Sequence, residues 1–411
     1  MKTPNLHKQF LAILFLTLVI ACFSVTVEAV PAFARQLNVK CQTCHFPNPP
    51  RLNNVGLLFR RMGFRLPDSD DNGNLIFKTP ELTSALAFGS VIANVEVEHD
   101  KFAPSDTESN TNLKLGEVAL FSAHALPDHL SYWLVFLPRN DEGDSELDFG
   151  EMQYNFGSAN DAFHLRGGKM LTLWWQKVDD EGLTLSAPLA LDEGAPVPVG
   201  SFAGFGVAGS QSAGEFGYTH SQLVDGKLTS TTLAVSVLNG KTPEGDAAIQ
   251  RSGDGLDFLA QGYHFFGSAN SIGAFYYHGN TKFNGADDPN SVFKDTFDRF
   301  GVVGNYWFMS RVTAVAGYIA GKDKSTELNQ TINNRGWFLE GDVSASPKWS
   351  FTYRHDEEDP DTDISGDQLR ADTLATTFHP IDNILLTLEY HTVKTGGVRD
   401  YSVVGQIRLA Y

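Results

Sequence analysis

From about Ser84 onwards the chain runs in segments of 9–13 residues whose polarity alternates residue by residue, with turn-forming residues between them. A period of two puts alternate side chains on opposite faces of a strand. In 384–394, Ile384, Leu386, Leu388 and Tyr390 share one face, and Thr387, Glu389 and His391 share the other. In 348–355, Trp349, Phe351 and Tyr353 alternate with Thr352 and Arg354; in 336–343, Trp337, Leu339 and Val343 oppose Glu340 and Asp342. A soluble sandwich does not routinely turn Glu, Asp, Arg and His inward, whereas a water-filled barrel lumen tolerates them. The pattern predicts strands near 84–98, 113–125, 130–139, 146–156, 161–172, 215–223, 228–238, 257–266, 271–281, 296–308, 312–321, 336–345, 348–356, 367–378, 384–394 and 400–411. That makes sixteen, an even number as single-chain bacterial barrels require. The expected fold is therefore all-β, an antiparallel outer-membrane barrel over 79–411. Trp307, Phe308 and Trp337, near strand ends, are expected in its interfacial aromatic girdles.

The connections alternate. Seven are short, among them 126–129, 224–227 and two identical Gly-Ser-Ala-Asn turns at 157–160 and 267–270; eight are longer, including 99–112 and 173–214. This arrangement puts both termini on the periplasmic side. The final stretch, Tyr401 to Tyr411, alternates and closes on an aromatic, which resembles the C-terminal assembly signal of outer-membrane barrels.

Composition removes other classes. After residue 24 no apolar run approaches the roughly 20 residues a spanning helix needs. Disorder is excluded by 42% hydrophobic residues with 30 Phe. A net charge of −18 argues against nucleic acid. At the N-terminus, Lys2 and Lys8 precede an apolar run from Phe10 to Phe23 and a small-residue cleavage site at Val27-Glu28-Ala29, the anatomy of an export signal over 1–29. Val19-Ile20-Ala21-Cys22 also resembles a lipobox, a minor alternative.

Cleavage after Ala29 leaves two of the three cysteines, both in Cys41-Gln42-Thr43-Cys44-His45. C-x-x-C-H is the attachment sequence of c-type haem. Two thiols reach the two vinyl groups of one porphyrin, and the adjacent imidazole becomes the proximal iron ligand. A zinc site would need a second ligand pair nearby, and a thioredoxin-like motif would need a βαβ setting; neither is present in the sequence. One covalent haem c on Cys41, Cys44 and His45, in a helical and loop segment over 30–78, is the expectation. Between Arg35 and Leu66 there are six cations and no acid, whereas 67–411 holds 23 Lys and Arg against 48 Asp and Glu. So short a segment cannot bury a sufficient core alone. It needs the haem and an acidic partner surface, which inward carboxylates such as Glu117, Glu340, Asp342 and Glu389 would supply.

Pro31-Ala-Phe-Ala-Arg35-Gln, the Cys41–His45 motif, Pro50-Arg-Leu-Asn53 and Gly56-x-x-Phe59-Arg60-x-x-Gly63-Phe64 together resemble the N-termini of fused monohaem cytochrome–porins, whose best-known branch comprises outer-membrane ferrous-iron oxidases. The match covers about 35 residues. It implies a haem segment within or beneath a roughly sixteen-stranded barrel, an oxidoreductase of Fe(II):cytochrome c type, extracellular Fe(II) as electron donor and a periplasmic c-type cytochrome or other soluble carrier as acceptor. The iron-oxidase branch often has a second His soon after the haem His and a Phe-Gly-Arg element; here Phe46-Pro47-Asn48-Pro49-Pro50 and Asn54-Val55-Gly56-Leu57 stand instead.

The sixth iron ligand is open in the sequence. Met62 is one option; its i, i+3, i+4, i+7 stripe with Val55, Leu58 and Phe59 equally describes plain helix packing. His391 in the lumen is another, and an open or water-bound position a third. Pro47, Pro49 and Pro50 hold the loop extended, which describes a plain stiff loop at least as well as one that offers a nearby carbonyl to the His45 Nδ1 hydrogen. Acidic runs at 141–146, 179–181 and 356–363 would attract Fe²⁺, but solvated loops bridged by divalent cations to lipopolysaccharide have the same composition, and that reading is favoured. The functional expectation is an outer-membrane electron conduit drawing on extracellular Fe(II). Electron export to an extracellular acceptor, and a solute porin with a non-catalytic haem, are the alternatives.

Overall fold

The structure is a computed structural model; it describes residues 32–46, 50–79, 89–101, 109–139, 145–171, 173, 183–191, 210–239, 256–267, 269–284, 292–308, 311–325, 330–381 and 383–410. The export signal, Pro47, Pro49, the acidic runs at 141–144 and 179–181, and Tyr411 lie outside these residues.

Sixteen antiparallel strands form a closed barrel, from β3 (Gly89–Lys101) and β4 (Ser109–Ala125) through β5 (Leu130–Arg139), β6 (Glu146–Gly157), β7 (Asp161–Leu171), β8 (Ser210–Val224), β9 (Lys227–Leu238), β10 (Asp257–Phe266), β11 (Asn270–Asn284), β12 (Val292–Phe308), β13 (Val312–Ser325), β14 (Gln330–Ser346), β15 (Trp349–Asp359), β16 (Leu369–Ile381) and β17 (Ile384–Thr395) to β18 (Val398–Ala410). The last strand pairs with the first, from Tyr401↔Lys101 to Ala410↔Ile92, so no edge remains to aggregate. Every sequence-predicted barrel strand is present. The chief differences in length are at the long-loop end, where β12, β13 and β14 continue through polar residues such as Lys322–Ser325. The backbone ladder there needs no apolar face, so polarity does not mark where it ends. The β17–β18 connection, expected to be long, is the two-residue turn Gly396-Gly397, both at positive φ (56° and 91°), which suits a tight hairpin.

Outward side chains are apolar and exposed, as on β17 (Leu388 54%, Tyr390 43%), while Thr387 and Glu389, which alternate with them, are buried inward. An apolar outer belt with a polar interior is the mark of a barrel in lipid. Tyr154, Phe156, Phe163 and Phe216 form a stacked outward row with centroids 5.4–6.0 Å apart. Phe308 and Trp337 face outward as expected. Trp307 does not: it points into the lumen and meets Phe46 edge-on at 5.8 Å, because the inward set of β12 falls on odd-numbered residues, among them Phe297, Arg299 and Asn305.

The lumen is filled from two directions. Residues 32–79 form two short helices (Ala32–Leu37 and Asn54–Arg61), a 3₁₀ turn (Cys41–Thr43) and an unforeseen hairpin, β1 (Leu66–Ser69) with β2 (Leu75–Lys78). They plug the short-turn end: Asn54 Nδ2 donates to Gly267 O and Asn270 O, and Arg65 to Leu126 O and Leu130 O. Residues 183–191, from the long β7–β8 connection, enter the middle; Leu185 and Ser186 N–H donate to Glu389, and Arg354 donates to Thr184, Ser186 and Ala187. Between plug and loop, Leu52, Leu57, Ala190 and Leu191 pack against inward Tyr263, Phe265, Phe275 and Phe338. One side of the lumen is thus an apolar core, where sequence reasoning expected water. Replacing Leu388, exposed in mid-strand, by Arg should cost about 2–4 kcal/mol in denaturant unfolding from a bilayer; a change below about 0.5 kcal/mol would mean that this face does not meet lipid.

Candidate functional site

The Cys41–His45 turn is held by local chemistry that the sequence states only faintly. Cys44 and His45 N–H both donate to Cys41 O, at 3.1 and 2.9 Å, which curls the two thiols and the imidazole onto one side. Asn53 then clasps the turn. Its Nδ2 donates to the carbonyls of Gln42, Thr43 and His45 (3.3, 3.1 and 3.1 Å), and its Oδ1 accepts Gly56 N–H at 3.0 Å as the N-cap of the Asn54–Arg61 helix. Gly56 packs so closely on the turn that an added Cβ would overlap Cys44 O. Sequence reasoning missed Asn53 both as a cap and as a clasp.

His45 Nδ1 lies 2.7 Å from Pro50 O, so of the two readings of the proline-rich loop it is the one with a carbonyl at the imidazole that the structure shows. With Nδ1 donating, Nε2 is the nitrogen left to coordinate, and the ring orientation is fixed. Burial pulls the His45 pKa down, which keeps the imidazole in the neutral form a metal ligand needs. Burial, then the neighbouring Cys41, pushes the Cys44 thiol up to about 11. Neither cysteine is in a disulfide.

Cys41, Cys44 and His45 open onto one cavity of about 270 Å³. From the plug, Phe33, Leu37, Phe59 and Phe64 line it; from the barrel wall, Ile92, Phe121, Ala123 and Trp133. Phe33 stacks on Phe64 at 5.2 Å and meets Phe59 edge-on at 4.9 Å. Lys40 and Arg60 are the cations on the lining, and the Arg60 guanidinium sits 4.0 Å over the Trp133 ring. The residues fit a c-type haem: two thiols and one oriented imidazole beside an apolar slot, with cations placed for propionates.

The structure does not bring the other sequence candidates to this cavity. Met62 turns the opposite way, packing with Leu58, Leu75, Ala162 and Leu228 against the wall. His391 is engaged with Thr373 Oγ1 (2.8 Å) and Ser186 Oγ (3.4 Å) under the luminal loop. Among the described residues lining the cavity there is no methionine and no second histidine. Of the carboxylates expected to draw the segment in, Glu340 and Asp342 do so: both pair with Arg51, which is buried. Burial lowers the Arg51 pKa, but the two carboxylates outweigh it and hold the guanidinium above its ordinary value. Glu389 binds the loop instead, and Glu117 lines a different cavity. Glu340 also lies 3.6 Å from Arg354, which holds the loop, so one carboxylate ties plug and loop together.

No protein-family model matches the chain, and no curated protein matches it in sequence. Solved structures do resemble it. OprB of Pseudomonas putida aligns over 79% of this chain and 94% of its own, with a TM-score of 0.53 and 10% identity. An anion-selective porin from Comamonas acidovorans covers 79% and 98% (TM-score 0.52, 12% identity), and a loop-deletion mutant of OmpT, an outer membrane protein of Vibrio cholerae, covers 79% and 99% (0.50, 13%). These likenesses show the fold: a sixteen-stranded barrel of the outer-membrane porin type, placed by its apolar belt in the outer membrane.

Two variants probe the site. Asn53→Ala should lower the local opening free energy of residues 41–60 by about 1–3 kcal/mol, read as faster hydrogen–deuterium exchange there with barrel strands unchanged; unchanged exchange at 41–45 would refute the clasp. Glu340→Gln leaves Arg51 and Arg354 short of charge, and loss of a buried ionic partner costs about 3–5 kcal/mol. Exchange should rise both in 50–61 and in 183–191; a rise in only one would show that the two are not tied through Glu340.

Proposed function

We propose that this protein is an outer-membrane electron conduit, taking electrons from extracellular Fe(II) through one c-type haem on Cys41, Cys44 and His45 to a periplasmic cytochrome or similar carrier. The observation that carries the reading is that both thiols and the oriented imidazole face one apolar slot inside a closed barrel, at its short-turn end. When bound, the haem supplies a one-electron centre that gains an electron as Fe(II) outside becomes Fe(III), and then loses it to the carrier. The chain's own part is positional. Asn53 and Pro50 fix the turn and ring, Phe59, Phe64 and Trp133 exclude water, and Lys40 and Arg60 offer charge to the propionates. Arg51, paired with Glu340 and Asp342, holds the segment inside the lumen, and tunnelling falls steeply with distance, so this depth matters. The cavity lining favours an open or water-bound distal position over Met62. No acid–base pair is required of a one-electron transfer.

Purified, air-oxidised protein in detergent should develop a sharp reduced c-type α-band when Fe(II) is added at the native growth pH. A haem that responds to dithionite but not to Fe(II) would overturn the inward direction and favour export. A porin role has its own support in the polar cavity left in the lumen; rapid solute diffusion through haem-loaded barrels in liposomes, without Fe(II) reduction of the haem, would favour it.

A further inference from the structure

Arg370, Lys394 and Arg399 stand side by side on the outside of the barrel. Arg370 is the register partner of Lys394, and Lys394 of Arg399, so three cations make one row across β16, β17 and β18. They share the strand parity of the outward Leu374, Leu388 and Leu409, and all three are exposed. Like charges directly opposite each other on one sheet face destabilise it, so the row calls for an anion. The carboxylates beside it are already served. Glu357 takes Arg370 Nε at 3.0 Å and Trp337 Nε1 at 3.3 Å. Asp372, one rung nearer the membrane centre, accepts from His355 Nδ1 and Tyr353 Oη, both at 2.9 Å. Arg399 acts on Asp372 only at longer range, and among the described residues Lys394 and Arg399 enter no ion pair.

The strands set the level of the row. Lys394 lies ten residues along β17 from Ile384 at the short-turn end, and a strand crosses the hydrocarbon in about 9–11 residues. Tyr390 and Tyr401 pair at 6.2 Å just beneath the row, and Trp337 continues it beyond Glu357, as amphipathic rings do at a membrane interface. The row is thus level with the outer-leaflet headgroups. The β17–β18 connection above it is the two-residue turn Gly396-Gly397, so this hairpin carries no loop to overhang the row, and residues 394–399 are all exposed. We propose that Arg370, Lys394 and Arg399 bind the phosphate of an outer-leaflet glycolipid of the lipid A type, with its acyl chains lying along Leu374, Leu388 and Tyr390. The two guanidiniums offer forked donors to the phosphate oxygens, and the ammonium between them a point charge. A lipid phosphate is the anion found at this depth, held there by its own chains. The site needs only the barrel in its membrane and is independent of the haem.

The probe is purified bisphosphorylated lipid A, added to delipidated full-length protein in detergent and counted by native mass spectrometry. One lipid A per chain should stay bound, and lipid A stripped of its phosphates should bind at least five-fold more weakly. Lys394→Gln with Arg399→Gln should weaken binding at least ten-fold, whereas Lys394→Arg should bind as wild type. Lys322 and Lys324 are exposed cations on the outward face of β13, at a similar height but with no cation opposite them in register. Lys322→Gln with Lys324→Gln should therefore change nothing. If the double row variant fails to give the fast-migrating folded barrel on unheated gels, Arg399→Ala reads alone, with a several-fold loss expected. Equal binding by wild type and folded row variants would overturn the site. So would an equal loss in the β13 variant, which would mean general charge attraction only. Binding abolished by EDTA would overturn it as well, because a divalent bridge to carboxylates would then be holding the phosphate. A haem that Fe(II) cannot reduce would sink the conduit and leave this site standing.

Discussion

The ion pairs of Arg51 with Glu340 and Asp342 govern the rest of the molecule. Three charges are taken from water into the barrel, a costly step that is offset only when every partner is in place. Here the pairs do what apolar packing cannot do alone: they fix where in the lumen a short basic segment stops. Thr352 donates to Asp342 at 2.7 Å, and Arg354, itself buried, links Glu340 to Asp356 and to the carbonyls of the luminal loop. Plug, wall and loop share one charge network, so none of them adopts its position independently.

That network divides the interior. On the β10–β14 side, Tyr263, Phe265, Phe275 and Phe338 make an apolar core with Leu52 and Leu57, which closes this side to ions. On the β3, β4 and β16–β18 side, the wall stays charged and keeps a polar cavity. The apolar slot beside Cys41, Cys44 and His45 shares β3 and β4 with the charged side and touches the core through Leu52. The packed side gives the plug the buried surface that its own length could not.

The barrel was legible because lipid imposes a period of two on every strand, and sixteen repeats of a weak signal leave little room for error. That Cys41, Cys44 and His45 stand together was legible because a five-residue motif sets their proximity before any packing does, and the structure turns all three onto one cavity. What failed depended on the third dimension. Trp307 looked like a girdle residue until strand parity turned it onto Phe46. Met62 sat at a plausible chain distance from His45, but its helix presents Gly56, Phe59 and Arg60 to the slot and Met62 to the wall. The luminal loop carried a clue in Leu183, Leu185, Leu189 and Leu191, apolar residues with no reason to stand in a solvated connection, yet nothing local said where they would go. Asn53 caps the Asn54–Arg61 helix and holds three carbonyls, and both roles follow from a loop shape that spacing does not encode.

The proposed conduit depends on the haem, and intact-protein mass spectrometry of the chain purified from outer membranes tests for it most directly. The mature chain should carry the mass increment of one haem, found after proteolysis on the peptide spanning Cys41 to His45, and absent when Cys41 and Cys44 are both Ala. An unmodified chain with two alkylatable thiols, isolated from cells competent in cytochrome c maturation, would contradict it.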